Sequence, residues 1–329
     1  MNLPRRTFLH LAAGAVALPV VSRVARAQAF PARPITIVVP YAAGGPTDVI
    51  ARLLAERMRG QIGQPVLIEN VVGAGGSIAL GRVARASPDG YTVVLGNWGT
   101  HVALGAVYKL DYDLLKDFEP VAQVPGNPMI IVTRKTVPAN NLKELIAWLK
   151  ANQDKVSVGT SGVGGGSHVA GVFFQDAIGA RFQYVPYRGA GPAINDLVAG
   201  QIDMMVDASA DVLPHLRAGR MKAYAVMTRS RLAAAPDIPT VDEAGLPGLY
   251  LTIWDGLWVP KGTPKIVISR LNAAAVDAMG NPVVRARLAD LGMQFPLREE
   301  QTPEALGALQ GAEIEKWWPI IKAAGISAE

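Results

Sequence analysis

The stretch PYAAGGPTDVIARL, residues 40–53, follows the apolar run Ile35-Thr36-Ile37-Val38-Val39. It reads as the end of a strand, a loop and the start of a helix. Pro46 suits a first helical turn, where its missing N–H costs nothing, with Gly45 as the cap. Val49, Ile50, Leu53, Leu54 and Met58 then share one face at helical spacing, with Arg52, Glu56 and Arg59 opposite. The spacing predicts a helix over 46–59, ended by Gly60 and Gly63. A strand that turns through glycines into a helix leaves unpaired N–H groups and the positive end of the helix dipole facing the turn, a site for an anion.

Outward from this stretch, β-branched runs alternate with amphipathic segments bounded by Gly and Pro, the pattern of parallel α/β layers. Strands are predicted at 35–39, 66–69 and 92–95, with a helix at 78–85. A break follows at Val124-Pro125-Gly126-Asn127-Pro128. The alternation resumes with strands at 129–133, 156–159, 182–186 and 202–207 and helices at 142–151, 167–178 and 192–199. After a Pro- and Gly-rich break at 235–248 and a strand-like 254–259, helices are predicted at 266–279, 283–291 and 303–322. A chain of 329 residues exceeds the size at which one core keeps growing. The expected organisation is one discontinuous lobe, 28–124 plus 250–329, with a second lobe, 125–249, inserted into it. The crossings near 124–128 and 227–250 would form a hinge, with a ligand cleft between the lobes.

The formal charge is +5, from 32 basic and 27 acidic residues. Arg5, Arg6, Arg23 and Arg26 lie in the first 27 residues, which contain no acid; setting them aside leaves 28 against 27. The basic excess therefore belongs to the N-terminus, no aromatic-interleaved basic stripe marks the rest, and no nucleic-acid partner is expected. Residues 1–27 have the parts of an export signal: a basic start at Arg5-Arg6, an apolar stretch over 8–21 and Ala25-Arg26-Ala27 for cleavage. The stretch is shorter than the roughly 20 residues a membrane span needs. Arg5-Arg6-Thr7-Phe8-Leu9 resembles a twin-arginine motif. With no cysteine in the chain there is neither a disulfide framework nor a lipid acceptor, and a periplasmic protein beginning at Gln28 is expected.

The inserted block repeats the opening theme. TSGVGGGSHVAG (160–171) and YRGAGPAINDL (187–197) each follow a predicted strand, and Gly191-Pro192 mirrors Gly45-Pro46. Val72-Gly73-Ala74-Gly75-Gly76 is a fourth glycine loop. In parallel sheets ligands bind at the carboxyl ends of strands. A nucleotide does not fit: Gly165-Gly166 stands where a phosphate loop needs Lys-Ser, and Ile78 where a dinucleotide fingerprint needs glycine. Gly159-Thr160-Ser161-Gly162-Val163 approaches a nucleophile elbow but lacks its last glycine. A hydrolase using Ser161 and His168 is the alternative function, against which His168 reads more simply as a helix N-terminal residue. No catalytic residue, metal or cofactor is expected. Asp48 can cap backbone N–H groups or touch ligand, and Asp207 can bind an amine or cap a helix near Ala210. Trp254, Trp258, Trp317 and Trp318 read as core or domain contacts.

With these loops in place, the sequence resembles the substrate-binding proteins of tripartite tricarboxylate transporters, the Bug family of periplasmic receptors. The matching stretches are RPITIVVPYAAGGPTDVIARLLAERM (33–58), GQPVLIENVVGAGGSIALGRVARASPDGYTVVLGN (63–97), VGTSGVGGGSHVAGVFF (158–174), VPYRGAGPAINDLVAGQIDMMVD (185–207) and GLWVPKGTP (256–264). The resemblance implies a two-lobed type II periplasmic binding protein fold and a small carboxylate, mono-, di- or tricarboxylate, held mainly by backbone groups and ordered waters. It implies delivery to a membrane permease, and a monomer is expected. The implied ligand contacts are Tyr41, Ala42, Gly44, Gly45, Thr47 and Asp48 in the first loop and Thr160, Ser161, Gly162, Gly165 and His168 in the second. Gly75, Asn97, Gly189, Ala190 and Asp207 complete the set. A planar, singly charged carboxylate can be gripped this way without a Lys or Arg clamp.

Overall fold

The computed structural model describes residues 30–327; the expected signal peptide, 1–27, lies outside them. Strand β1 (Ile35–Val39) leads through the quoted loop into helix α1 (Pro46–Ile62), capped by Gly45 and closed by Gly63 at φ 75°. There follow β2 (Val66–Asn70), α2 (Ser77–Ala84), β3 (Thr92–Asn97), a wide π turn (Gly99–Ala103) and the single-turn α3 (Leu104–Val107). The chain continues through β4 (Phe118–Arg134), α4 (Leu142–Ala151), β5 (Ser157–Thr160), α5 (Gly166–Ile178), β6 (Gln183–Pro186) and α6 (Ala190–Ala199). Last come β7 (Met204–Ala208), α7 (Ser209–Arg217), β8 (Met221–Val226), β9 (Thr252–Pro260), α8 (Lys265–Gly280), α9 (Pro282–Asp290) and α10 (Pro303–Ala323).

The strands form one α/β sheet in the order β2-β1-β3-β9-β4-β7-β5-β6, with β8 paired to β4. Its two ends are parallel, as the alternation predicts: β1 with β2 and β3, and β5 with β6 and β7. Its middle is antiparallel, β9 lying against β3 and β4, and β4 against β7 and β8. The long strand β4 serves both sections. Residues 118–128 pair with β9, and Met129–Thr133 with β7.

The expected break at 124–128 is therefore a correction: it lies inside β4. The register shifts between Val124 and Asn127, a bulge that accommodates Pro125. Gly126 lets β4 approach β9 so closely that a Cβ would sit 2.7 Å from the Trp254 Cα. The Gly126 N–H donates to the Gln294 carbonyl at 3.0 Å and its carbonyl accepts from the Gln294 N–H at 2.9 Å. The chain recrosses alongside: the Met227 N–H donates to the Met129 carbonyl at 2.8 Å, and the Leu251 N–H to the Met227 carbonyl at 3.0 Å.

One core lies between the sheet and helices α1, α8 and α9, built from residues such as Ile35, Ile37, Leu54, Met58, Leu257 and Leu271. On the other side a single buried cluster runs from Val38, Leu80 and Val94 through to Val158, Phe174 and Val206. Trp317 of α10 joins its two ends, packing edge-on against Trp98 at 5.3 Å and Phe173 at 5.0 Å. Trp98 and Trp317 both donate their indole N–H to the Glu313 carboxylate, at 2.9 and 3.1 Å. Among the described residues no helix is long and apolar enough to cross a membrane, and no cluster of His, Cys, Asp or Glu is arranged to hold a metal.

Candidate ligand site

The loop between β1 and α1 is held by its own side chains. Asp48 is 1% exposed. One of its oxygens accepts from the Gly44 N–H and from Arg52 Nε, both at 2.8 Å, and the other from Asn70 Nδ2 at 3.0 Å. Burial alone would raise the Asp48 pKa, but these hydrogen bonds outweigh it and hold the carboxyl below its ordinary range. Tyr41 donates to Asn97 Oδ1 at 2.6 Å, and that oxygen also accepts from the Gly99 N–H at 2.9 Å, which fixes the π turn. Thr47 lies within 2.9 Å of Asp255 Oδ1, and Asn127 Nδ2 donates to Asp255 Oδ2 at 3.3 Å. Asp255 is fully buried, and burial pushes its carboxyl up to about 8.

The loop between β5 and α5 uses glycines and neutral hydrogen bonds. The Ser161 N–H donates to Ser167 Oγ at 2.7 Å, and the two hydroxyls are also 2.7 Å apart. The Gly164 N–H donates to His168 Nδ1 at 3.0 Å. Gly164 has φ 71°, and a Cβ on it would lie 2.6 Å from Val107. In the third loop the cap differs from expectation. Gly189, at φ 107°, caps α6 and Ala190 opens it, so Gly191-Pro192 falls in the first turn.

The N-termini of α1, α5 and α6 open into one cavity of about 630 Å3. Of the residues expected to touch ligand, Tyr41, Ala42, Gly44, Gly45, Thr47, Gly75, Asn97, Ser161, Gly162, Gly165, Gly189, Ala190 and Asp207 line it. Asp48, Thr160 and His168 do not. Asp48 turns back under its loop, Thr160 is buried with its carbonyl accepting from the Tyr187 N–H, and His168 sits behind the glycines, edge-on to Tyr184 at 4.9 Å.

Other lining residues were not anticipated. Leu104, Val107, Met129 and Ile253 form an apolar wall, hidden in the sequence among runs that read as core. Arg188 also lines the cavity, exposed and with no ion-pair partner among the described residues. It stands inside the YRGAGP stretch, where the expectation of a grip without a cation passed over it. Against it stand two acids. Asp207 is buried, with one oxygen accepting from the Ala208 N–H at 2.9 Å and the other without a partner. Asp211, in the first turn of α7, shares the cavity. Burial pushes Asp211 up to about 7, and burial together with Asp211 raises Asp207 well above the usual carboxylate range.

Three helix N-termini lining one cavity and a guanidinium without an ion-pair partner among the described residues favour a negative ligand. Nothing in the geometry activates Ser161: its hydroxyl faces Ser167, while His168 Nδ1 is occupied by Gly164 and burial holds its ring neutral.

Comparison with known proteins agrees. Residues 50–326 match the tripartite tricarboxylate transporter family receptor. A protein of Agrobacterium vitis, described as a UPF0065 protein in the TAR-I ttuE-ttuC' intergenic region, is 41% identical over 92% of this chain and 88% of its own length. MatC from Rhodopseudomonas palustris, solved with bound malate, is 41% identical over 89% of this chain and 100% of its own, with a TM-score of 0.82. Rpa4515 of R. palustris, solved with adipate, is 31% identical over 90% of this chain and 99% of its own, with a TM-score of 0.83. These likenesses favour a solute receptor over the hydrolase alternative, and the chain belongs to the tripartite tricarboxylate transporter receptor family.

Proposed function

We propose that this protein captures a small carboxylate between two lobes, 28–124 plus 250–329 and 125–249, and hands it to a membrane permease of the tripartite tricarboxylate type. The observation that carries this reading is the convergence of the α1, α5 and α6 N-termini on one cavity, where oriented N–H groups meet a carboxylate with little reorganisation. Arg188 on the same wall offers a cation to a second carboxylate, consistent with the dicarboxylates bound by the two structural relatives. The neighbouring crossings at Met129, Met227 and Leu251 support a hinge at 124–128 and 227–250. The receptor acts in the periplasm as a monomer, exported by the twin-arginine route on a signal cleaved after Ala27, and returns its ligand unchanged. A second reading adds an ammonium group to the ligand, because the free Asp207 oxygen faces no donor.

A thermal-shift screen of residues 28–329 tests both. Malate, adipate, citrate, aspartate and acetate are compared with ATP, glucose and divalent metals. A binding carboxylate at a hundred times its Kd raises stability by about 2.7 kcal/mol. A shift produced by ATP or a metal alone refutes the reading, and aspartate far ahead of malate selects the amine-bearing ligand.

A further inference from the structure

Asp255 is a carboxyl group one residue behind the ligand cavity. It has no exposed surface, its two hydrogen-bond neighbours, Thr47 and Asn127, both line the cavity, and no Lys, Arg or His contacts it among the described residues. From β3 it faces Asn97 and from β4 Val124. From α1 it meets Thr47, while Asp48 turns away to Arg52. Tyr41 is the titratable group beside it: burial first, then the Asp255 charge, holds the Tyr41 hydroxyl in its neutral form. His101, just past β3, stacks on Trp258 at 3.5 Å instead. Asp207 and Asp211 line the same cavity from β7 and α7.

The contact between Thr47 Oγ1 and Asp255 Oδ1 is 2.9 Å long and has room for one hydrogen. If Asp255 is ionised, that hydrogen must come from Thr47; one Thr47 lone pair then accepts from Asn97 Nδ2 at 3.5 Å, and the other is left toward the cavity, where it repels an anion. If Asp255 holds a proton, it fills the contact itself, and the Thr47 hydrogen is free to point at the ligand. We infer that Asp255 is a positioning residue that keeps its proton in order to turn Thr47 outward as a donor, so that an ionised Asp255 must take up one proton for the anion to be captured. Where Asp255 is ionised in the free protein, the proton comes from solvent, settles on Asp255 Oδ1 and returns to solvent on release; where Asp255 is already protonated, none moves. The burial that raises this carboxyl to about 8 keeps it protonated at neutral pH.

This inference rests on the proposed carboxylate receptor, and the experiment separates the two. In the ligand-free protein, carbon-13 NMR follows the Asp255 carboxyl, assigned by its loss in D255N. An inflection near pH 8 is expected; one in the ordinary carboxylate range overturns the inference whether or not any ligand binds. Calorimetry with malate and with adipate from pH 6.5 to 9.5 then compares wild type, D255N and T47V. In the wild type Kd rises through pH 8, approaching tenfold per pH unit where only the protonated form binds. D255N, whose amide always has a hydrogen for Thr47, binds at pH 7 within about threefold of wild type and flattens that rise, leaving the contributions of Asp207 and Asp211. T47V binds more weakly, loses the same part of the pH dependence and takes up fewer protons in paired buffers of different ionisation enthalpy. Equal slopes and equal proton uptake in wild type and T47V overturn the inference even if D255N fails to fold. Absence of malate and adipate binding at every pH counts against the receptor reading, and the NMR result still decides the Asp255 proton.

Discussion

The loops before α1 and α5 line the same cavity and are held by opposite means. The first is braced from within: Asp48 gathers Gly44, Arg52 and Asn70, while Gly45 has φ −75° and space around it, a Cβ there lying 3.6 Å from the nearest oxygen. The second has no charged brace. Gly164 needs a positive φ and leans on Val107, and Gly166 leans on Ile253, where a Cβ would lie 2.8 Å away. One loop carries its shape in its side chains. The other takes its shape from the absence of side chains and from residues of the opposite section. Gly45 in the first loop is therefore not required by the fold, whereas Gly164 and Gly166 in the second are.

Substitution of Gly164 by Val breaks the second loop and should have the largest effect. A branched residue at positive φ costs about 1–3 kcal/mol and the collision with Val107 about as much again. We expect a loss of at least about 3 kcal/mol in urea denaturation and no carboxylate binding. Stability within about 1 kcal/mol of wild type would mean that the loop is not held across the cavity.

The first loop should break through Asp48. Its replacement by Ala leaves the Gly44 N–H without its acceptor, takes one of two acceptors from the Asn70 amide, which keeps the Tyr41 carbonyl, and should cost about 2 kcal/mol at neutral pH. Because the Asp48 pKa lies below its unfolded value, its contribution is present above the ordinary carboxylate range and lost as the pH falls through the depressed value. The gap between wild type and D48A should therefore close as the pH falls below the ordinary carboxylate range, and a constant gap would rule out an ionised brace. Asp255 acts in the other direction. Its raised pKa makes the wild type lose stability as the pH climbs from the ordinary carboxylate value to about 8, a slope that D255N should reduce to the part that Asp207 and Asp211 supply.

The smallest effect on the fold is expected at Gly45. Ala fits its φ and its surroundings, so the melting curve should move by less than about 0.5 kcal/mol. Carboxylate affinity should nevertheless fall, by about tenfold, as the methyl group stands where the backbone meets the anion. Unchanged affinity measured by calorimetry would move the anion away from this loop.

These contrasts also explain what was legible in the sequence. Helical periodicity and caps placed α1, α4, α5 and α8 within a few residues, because they depend on local spacing. Strand β8 was missed: Lys222 and Tyr224 interrupt its apolar pattern, and only the fold reveals that Lys222 reaches the carbonyls of Val137 and Ala139. The segment 124–128 looked like a break because Pro and Gly read as punctuation, and only the pairing with β9 reveals a bulge. In the site, glycine loops were visible as loops. Asp255 was not, since an acid inside IWDGLWV carries no local sign that Thr47, 208 residues away in sequence, will meet it.

Trp317 stands between Trp98, at the end of β3, and Phe173, on α5, at a seam where one section of the sheet meets the other. Any swing that parts the sections must pull Phe173 from its ring and let water reach the indole. The native chain is thus its own optical probe: opening should shift tryptophan emission to the red, and ligand-driven closing should reverse it without any attached dye.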